Sequence, residues 1–130
     1  MFSILIKIQT QKKISKSIEI VYGLRNFIGN ANKFAKNSIF INLKSDSEFT
    51  EITVEDDGNG YPRDIISKIG EPYLKSNYSK DKSKEGLGLG LFIGKTLLEK
   101  NFASVNCRNS KTRNGAEVVI RWKNKELFNI

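Results

Sequence analysis

The strand that ends at Asp56 is the feature that most constrains how this chain can fold. In the stretch "TVEDDGNGYP", Ile52 and Val54 point to one face of a strand, and Asp56 continues that face. Asp56 is therefore expected to point into the core, where a carboxylate without a partner is costly. Gly58 and Gly60 open the backbone beside it, so the carboxylate is well suited to accept a hydrogen bond from an amino group such as that of adenine. The alternative is an ordinary turn after a strand, for which "DDGNG" is also good chemistry.

A long amphipathic helix is predicted before this strand. Ser17 is the expected N-cap, and apolar residues recur at helical spacing from position 18 to about position 36. Asn26, Asn30 and Lys33 stand at i, i+4 and i+7, so they share one face of the helix. Two carboxamides and an ammonium can hold a hydrated Mg²⁺ and the phosphates that it neutralises. For these three residues alone, a solvated helix face is the simpler interpretation.

The order of the predicted elements indicates the fold class. Hydrophobic patterns predict a strand at 2–8, strands at 38–45 and 47–57, a short helix at 61–70, a polar loop at 71–85, a second long helix at 88–101, and strands at 102–110 and 115–122. Helices gathered on one face of a mixed, mostly antiparallel sheet are the natural packing for this order. The predicted fold class is therefore α+β, a two-layer α/β sandwich that forms one domain over residues 1–130.

The stretch "GLGLGLFIGKT" near the start of the second long helix carries glycines typical of phosphate-binding loops. A Walker A loop would need a glycine at Leu89, and a G-x-G-x-x-G loop would need one at Ile93, so both patterns fail. Gly86, Gly88 and Gly90 remain. Glycines before a helix let bare backbone and free N–H groups approach an anion, while a flexible linker is the alternative interpretation.

Composition limits the classes of protein to which the chain can belong. The sequence has 130 residues, a formal net charge of +8, one cysteine and no histidine. The charge suits anionic partners such as nucleotides, although a genome that favours lysine would also produce it, and no nucleic-acid recognition motif accompanies it. The lone Cys107 and the lack of histidine argue against a zinc site, an internal disulfide and the usual catalytic triads. No apolar run approaches the length of a bilayer span, so we expect a soluble, cytoplasmic chain without membrane contact.

Together these stretches resemble the ATP-binding catalytic domain of bacterial sensor histidine kinases, in the superfamily shared with gyrase, the mismatch-repair ATPase and a heat-shock chaperone. "NFIGNANKF" is similar to its N box, "DDGNG" to its G1 box and "GLGLGL" to its G2 box. "GEPYL", with Tyr73, is similar to the motif between the last two boxes. The resemblance covers about residues 18–122, is closest to the redox-responding RegB/PrrB type, and implies the Bergerat-type ATP-binding fold.

The resemblance implies ATP and Mg²⁺ as cofactors and a role for each residue of the boxes. It implies that Asn30 coordinates Mg²⁺, that Asn26 supports the metal and the phosphates, and that Lys33 contacts phosphate. The other implied nucleotide-binding positions are Asp56 for the adenine amino group, Gly58 and Gly60 beside the base, Gly86, Gly88 and Gly90 for the phosphates, and Phe34 and Tyr61 for the adenine pocket. The stretch "KSNYSKDKSKE" is implied to be the lid over ATP.

One departure from the family pattern bears on the chemistry. Members that hydrolyse ATP carry a Glu one turn before the metal-binding Asn, whereas this chain has Asn26, which cannot act as a general base. A neutral histidine nitrogen needs no base, so phosphoryl transfer to histidine is favoured over hydrolysis. A stand-alone ATPase, a protein-serine kinase of the same superfamily and a degenerate non-catalytic binding fragment are the alternatives.

The partners follow from the same resemblance. Because the sequence contains no histidine, we expect the acceptor on a separate histidine-containing dimerisation domain, with a response regulator as an indirect partner. The dimerisation and sensor regions are expected to be absent from this chain, and a full-length parent is expected to be tethered to the inner membrane.

Overall fold

The computed structural model describes residues 3–9, 17–64, 66–69 and 87–127. The strands are β1 (Ser3–Gln9), β2 (Ser38–Ser45), β3 (Phe49–Asp56), β4 (Ser104–Asn109) and β5 (Ala116–Lys123). The helices are α1 (Ile18–Phe34), α2 (Leu87–Lys100) and α3 (Asn124–Leu127), with a 3₁₀ helix at Ile66–Lys68. None of the helices in these ranges is both long and apolar enough to cross a membrane.

The five strands form one mixed sheet in the order β1-β2-β3-β5-β4. β1 pairs with β2 in parallel, and the other neighbouring strands are antiparallel. The apolar sides of α1 and α2 share one core with the sheet residues Ile39, Val54, Val118, Ile120 and Trp122. The long helices therefore cover the same face of the sheet, and the predicted two-layer α+β fold is confirmed.

α1 forms because its sequence supplies both a cap and a continuous apolar stripe. The Ser17 hydroxyl accepts a hydrogen bond from the Ile20 N–H at 3.4 Å, which confirms the predicted N-cap. The buried residues of the stripe are Ile20, Gly23, Phe27 and Ala31. The helix ends at Phe34, two residues before the predicted position, because the chain becomes extended at Ala35.

α1 and α2 pack closely because each has a glycine at the point of contact. A Cβ at Gly23 would lie 2.7 Å from Leu98 Cγ, and a Cβ at Gly94 would lie 2.9 Å from Phe27 Cε2. Both distances are shorter than van der Waals contact, so any larger residue would force the helices apart. Gly94, which suggested a Walker loop, is thus a packing residue within α2.

Two elements differ from the sequence prediction. The short helix predicted at 61–70 is wrong in extent, because helical backbone in its described part is confined to Ile66–Lys68. The chain before it is held elsewhere, since the main chain of Tyr61 is hydrogen bonded to the Asn109 side chain. α3 was not predicted, because it depends on the buried Asn124 side chain, which bonds Thr50 far away in sequence. The predicted loop at 71–85 lies outside the described residues.

Candidate functional site

A polar cleft of about 210 Å³ lies between α1 and the beginning of α2. It is lined by Arg25, Asn26, Gly29, Asn30, Lys33 and Gly90. The structure therefore brings the three predicted polar residues of α1 together with one glycine of the predicted phosphate-binding stretch. Their individual roles stay predictions.

Asn26 is oriented by its own helix. Its Nδ2 donates a hydrogen bond to the Tyr22 main-chain oxygen at 2.8 Å, which leaves Oδ1 as the end of the amide that faces α2. A Cβ at Gly90 would lie 3.6 Å from this oxygen, within van der Waals contact. Asn26 thus presents a neutral acceptor to the cleft, and it offers no group that titrates as a base near neutral pH.

The glycines at the start of α2 correct one detail of the prediction. α2 begins at Leu87, one residue before the predicted start, so Gly88 and Gly90 both lie inside the first turn of the helix. The first four N–H groups of a helix have no partner within that helix, so both glycines still contribute main-chain donors at its positive end. Gly86 lies outside the described residues.

Asp56 is the buried carboxylate that the strand pattern predicted, with only 2% of its surface exposed. Its Oδ1 accepts hydrogen bonds from the Gly58 N–H at 2.8 Å and the Ala116 N–H at 3.2 Å. Within the described part of the chain, Oδ2 accepts none. Burial raises the pKa of Asp56 above its ordinary value, and the two main-chain donors only partly offset this effect. The residue therefore holds one oxygen in place and keeps the other available to a ligand.

Asp57 points the other way and connects the end of β3 to the end of α1. Its Oδ1 accepts hydrogen bonds from the N–H groups of Lys36, Asn37 and Ser38 at 2.9, 3.0 and 3.2 Å. The bond from Asn37 is the main reason why the pKa of Asp57 is lowered. This lowered pKa stabilises the fold above the ordinary pKa of aspartate, and the contribution is lost as the pH falls through the folded-state pKa.

The turn after Asp56 fits against its surroundings only with glycine at two positions. A Cβ at Gly58 would overlap the Phe34 main-chain oxygen at the end of α1. Gly60 has a φ of 78°, a left-handed conformation that favours glycine. The turn therefore sits directly against the C-terminal end of α1, the end of the helix that carries Lys33.

Asn109 holds the same turn from the opposite side. Its Oδ1 accepts from the Tyr61 N–H at 2.6 Å, and its Nδ2 donates to the Tyr61 main-chain oxygen at 3.0 Å. The predicted adenine-pocket residues Tyr61 and Phe34 differ in exposure: Tyr61 is buried, and Phe34 is partly buried against the core. Whether either ring contacts a base stays a prediction.

Comparison with known proteins agrees with this arrangement. Residues 15–126 match the family model described as histidine kinase-, DNA gyrase B- and HSP90-like ATPase. The chain belongs to this ATPase family. It is 37% identical over 107 residues to the sensor histidine kinase RegB of Cereibacter sphaeroides, a match that covers 78% of this chain and 23% of that protein.

Two solved structures share the fold of this chain. A mycobacterial sensor histidine kinase, MprB, superimposes with a TM-score of 0.79 at 20% identity, over 94% of this chain and 83% of that one. Full-length ShkA in complex with AMPPNP superimposes with a TM-score of 0.74 at 22% identity, over 93% of this chain and 25% of that one. The resemblance to histidine kinase catalytic domains, including the RegB type, is confirmed.

Sequence reasoning missed four residues that shape the site of this family member. These are Arg25 in the cleft, Asp57 behind the turn, Asn109 beside it, and Gly115, where a Cβ would overlap Asp56. Arg25 could have been found from the sequence. It stands four residues before Gly29 and eight before Lys33, on the same side of α1. Asn109 carries no local signal, and the Asn114–Gly115 dipeptide signals only a turn, because the partners of Asn109 and Gly115 lie far away in sequence.

Proposed function

We propose that this chain binds Mg²⁺-ATP in the cleft between α1 and α2 and transfers the γ-phosphoryl group to a histidine on a separate dimerisation domain. The observation that carries the proposal is the lining of the cleft: two carboxamides and two cations, with no carboxylate among the described lining residues. Such a lining favours phosphate groups, and it lacks the base that would activate water or a hydroxyl acceptor. A response regulator would be served indirectly, through the phosphorylated dimerisation domain.

The nucleotide would extend along α1 from the buried turn toward the beginning of α2. Asp56 would accept the adenine amino hydrogen at Oδ2, with Gly58 and Gly60 beside the base. Lys33 and the main-chain N–H groups of the α2 glycines would contact the phosphates. Because positioning and charge neutralisation are the main requirements of phosphoryl transfer, the site would need no protein nucleophile.

The cleft fits Mg²⁺ that arrives with the nucleotide. Within the described residues, no three His, Cys, Asp or Glu side chains come together to hold a metal ion by themselves. The cleft supplies carboxamide oxygens instead, and Mg²⁺ is commonly bound by one or two protein ligands together with water and substrate phosphates. Asn30 is the residue that would hold the ion, which would neutralise charge on the transferring phosphoryl group.

Replacing Asn26 by Glu tests why this cleft would favour transfer over hydrolysis. The variant places a carboxylate where hydrolysing members of the superfamily carry one. General-base catalysis is worth about 10²–10⁴ in rate, so we expect ATP hydrolysis without an acceptor to rise at least about tenfold. The measurement is phosphate release at saturating Mg²⁺-ATP, with nucleotide affinity determined in parallel.

Asn26→Gln is the matched control, because it lengthens the side chain without adding a base. It should release phosphate as slowly as the unmodified chain. Fast hydrolysis by the unmodified chain would indicate a stand-alone ATPase. A Glu variant that binds ATP but releases phosphate no faster would contradict the role assigned to position 26.

A further inference from the structure

Two cations flank a bare segment of α1 in the cleft. Arg25, Gly29 and Lys33 stand one turn apart along the helix, and all three line the cleft. Apart from the adjacent backbone of α1, a Cβ at Gly29 would meet no atom of the described residues within 4 Å, so the absence of a side chain there serves no packing need within this part of the chain. The segment between the two cations is thus an open trough along the helix surface.

Among the described residues, no carboxylate compensates the charge of this trough. The ion pairs among the described residues involve Lys44, Lys95, Lys100, Arg108 and Arg113. Neither Arg25 nor Lys33 has a carboxylate within ion-pair distance in this part of the chain. The Arg25 guanidinium lies 5.7 Å from the centre of the Tyr22 ring, a cation–π contact that leaves its N–H donors available to an anion.

The order of the residues along α1 indicates which phosphate Arg25 would meet. The turn that follows Asp56 abuts Phe34, so the adenine end of the site lies at the C-terminal end of α1. Lys33 is next to that end, and Arg25 lies eight residues farther, about 12 Å along the helix axis. A nucleotide anchored at Asp56 would therefore reach Arg25 only with its terminal phosphate.

We propose that Arg25 binds the terminal phosphate and makes the cleft selective for a nucleoside triphosphate over a diphosphate. A guanidinium can donate two parallel hydrogen bonds to one phosphate, which a lysine ammonium cannot do. The proposal rests on the proposed function, because it assumes that the nucleotide is anchored at Asp56. It adds a residue that distinguishes substrate from product after phosphoryl transfer.

The test compares the dissociation constants of Mg²⁺-ATP and Mg²⁺-ADP for the unmodified chain, Arg25→Gln and Arg25→Lys. Loss of a charge-assisted hydrogen bond should weaken ATP binding by Arg25→Gln about tenfold or more, while ADP binding changes less than about twofold. Arg25→Lys should bind ATP more tightly than Arg25→Gln but less tightly than the unmodified chain. It keeps the positive charge but cannot donate the two parallel hydrogen bonds of a guanidinium. Arg121→Gln removes the same charge from the opposite face of the sheet, where Arg121 covers the Phe49 ring, and should alter neither affinity.

The outcomes separate this inference from the proposed function. The role of Arg25 is overturned, and the proposed function stands, if Arg25→Gln binds ATP as tightly as the unmodified chain does. The same holds if the substitution weakens the affinities for ATP and ADP by the same factor. If the unmodified chain binds neither nucleotide, both proposals fail. A preference for ATP that disappears only in the Arg25 variants supports the inference.

Discussion

Asp56→Asn should weaken nucleotide binding at least about a hundredfold and leave the fold as stable as the unmodified chain, or more stable, at neutral pH. Oδ1 of Asp56 is occupied by two main-chain donors, so an asparagine must keep its oxygen there and turn its Nδ2 toward the ligand. The Nδ2 group of the asparagine and the amino group of adenine, both donors, would then face each other. A lost hydrogen bond to a charged group together with an unsatisfied buried donor costs about 2–3 kcal/mol or more. Calorimetric titration with Mg²⁺-ADP measures the effect.

The stability of the same variant should depend on pH in a definite direction. Burial raises the pKa of Asp56 above its value in the unfolded chain, so the fold loses stability as the pH rises from the unfolded-state pKa through the folded-state pKa. Asparagine carries no such cost, and the stability advantage of Asp56→Asn should therefore grow as the pH rises through that pKa. Urea unfolding at several pH values measures the difference.

Asp46→Asn is a suitable control for the change from carboxylate to amide. Asp46 accepts main-chain hydrogen bonds from Glu48 and Phe49 in the turn between β2 and β3, away from the cleft. Its replacement should leave nucleotide affinity unchanged. Unaltered affinity in Asp56→Asn would contradict the assignment of Asp56 as the adenine anchor.

Gly58→Ala should destabilise the fold, whereas the same substitution at Gly29 should stabilise it. A Cβ at Gly58 would overlap the Phe34 main-chain oxygen, and relief requires the end of α1 to move away from the turn. Overpacking of this kind costs about 1–3 kcal/mol, occasionally more. A Cβ at Gly29 meets nothing, so alanine should add about 0.5–1 kcal/mol through its higher helix propensity.

Urea unfolding of the two alanine variants measures both free energies. Both variants add the same methyl group to a glycine, so a difference between their free energies of unfolding reflects the surroundings of the two positions. Equal effects of the same sign would show that the contact between the turn and α1 does not constrain the fold. Gly58→Ala should also weaken nucleotide binding, since the contact sets the position of Asp56 relative to Lys33.

The sequence predicted the parts of the site that depend on local pattern. Helical spacing placed Asn26, Asn30 and Lys33 on one face, and strand alternation turned Asp56 into the core, because both patterns follow from backbone geometry alone. The predicted start of the second long helix, among the G2 glycines, is one residue later than the observed start at Leu87.

The supporting contacts could not be predicted in the same way. Asn109 and Tyr61 are 48 residues apart, and Ala116 donates to Asp56 from 60 residues away. Such pairs depend on the register between β3, β4 and β5, which a single sequence does not specify. The end of α1 at Phe34 likewise depends on a contact that is distant in sequence. The main-chain N–H groups of Lys36 and Asn37 donate to Asp57, on the turn after β3, and not to the helix.

We propose above all that this ATPase-family chain transfers phosphoryl groups to histidine. The most direct test is to mix the chain with a RegB-type dimerisation domain, Mg²⁺ and γ-labelled ATP, and to follow the label. We expect label on the histidine of that domain, stable in base and labile in acid, and no label with Asp56→Asn. Label on serine or threonine, or an unlabelled domain in the presence of a chain that binds ATP, would contradict it.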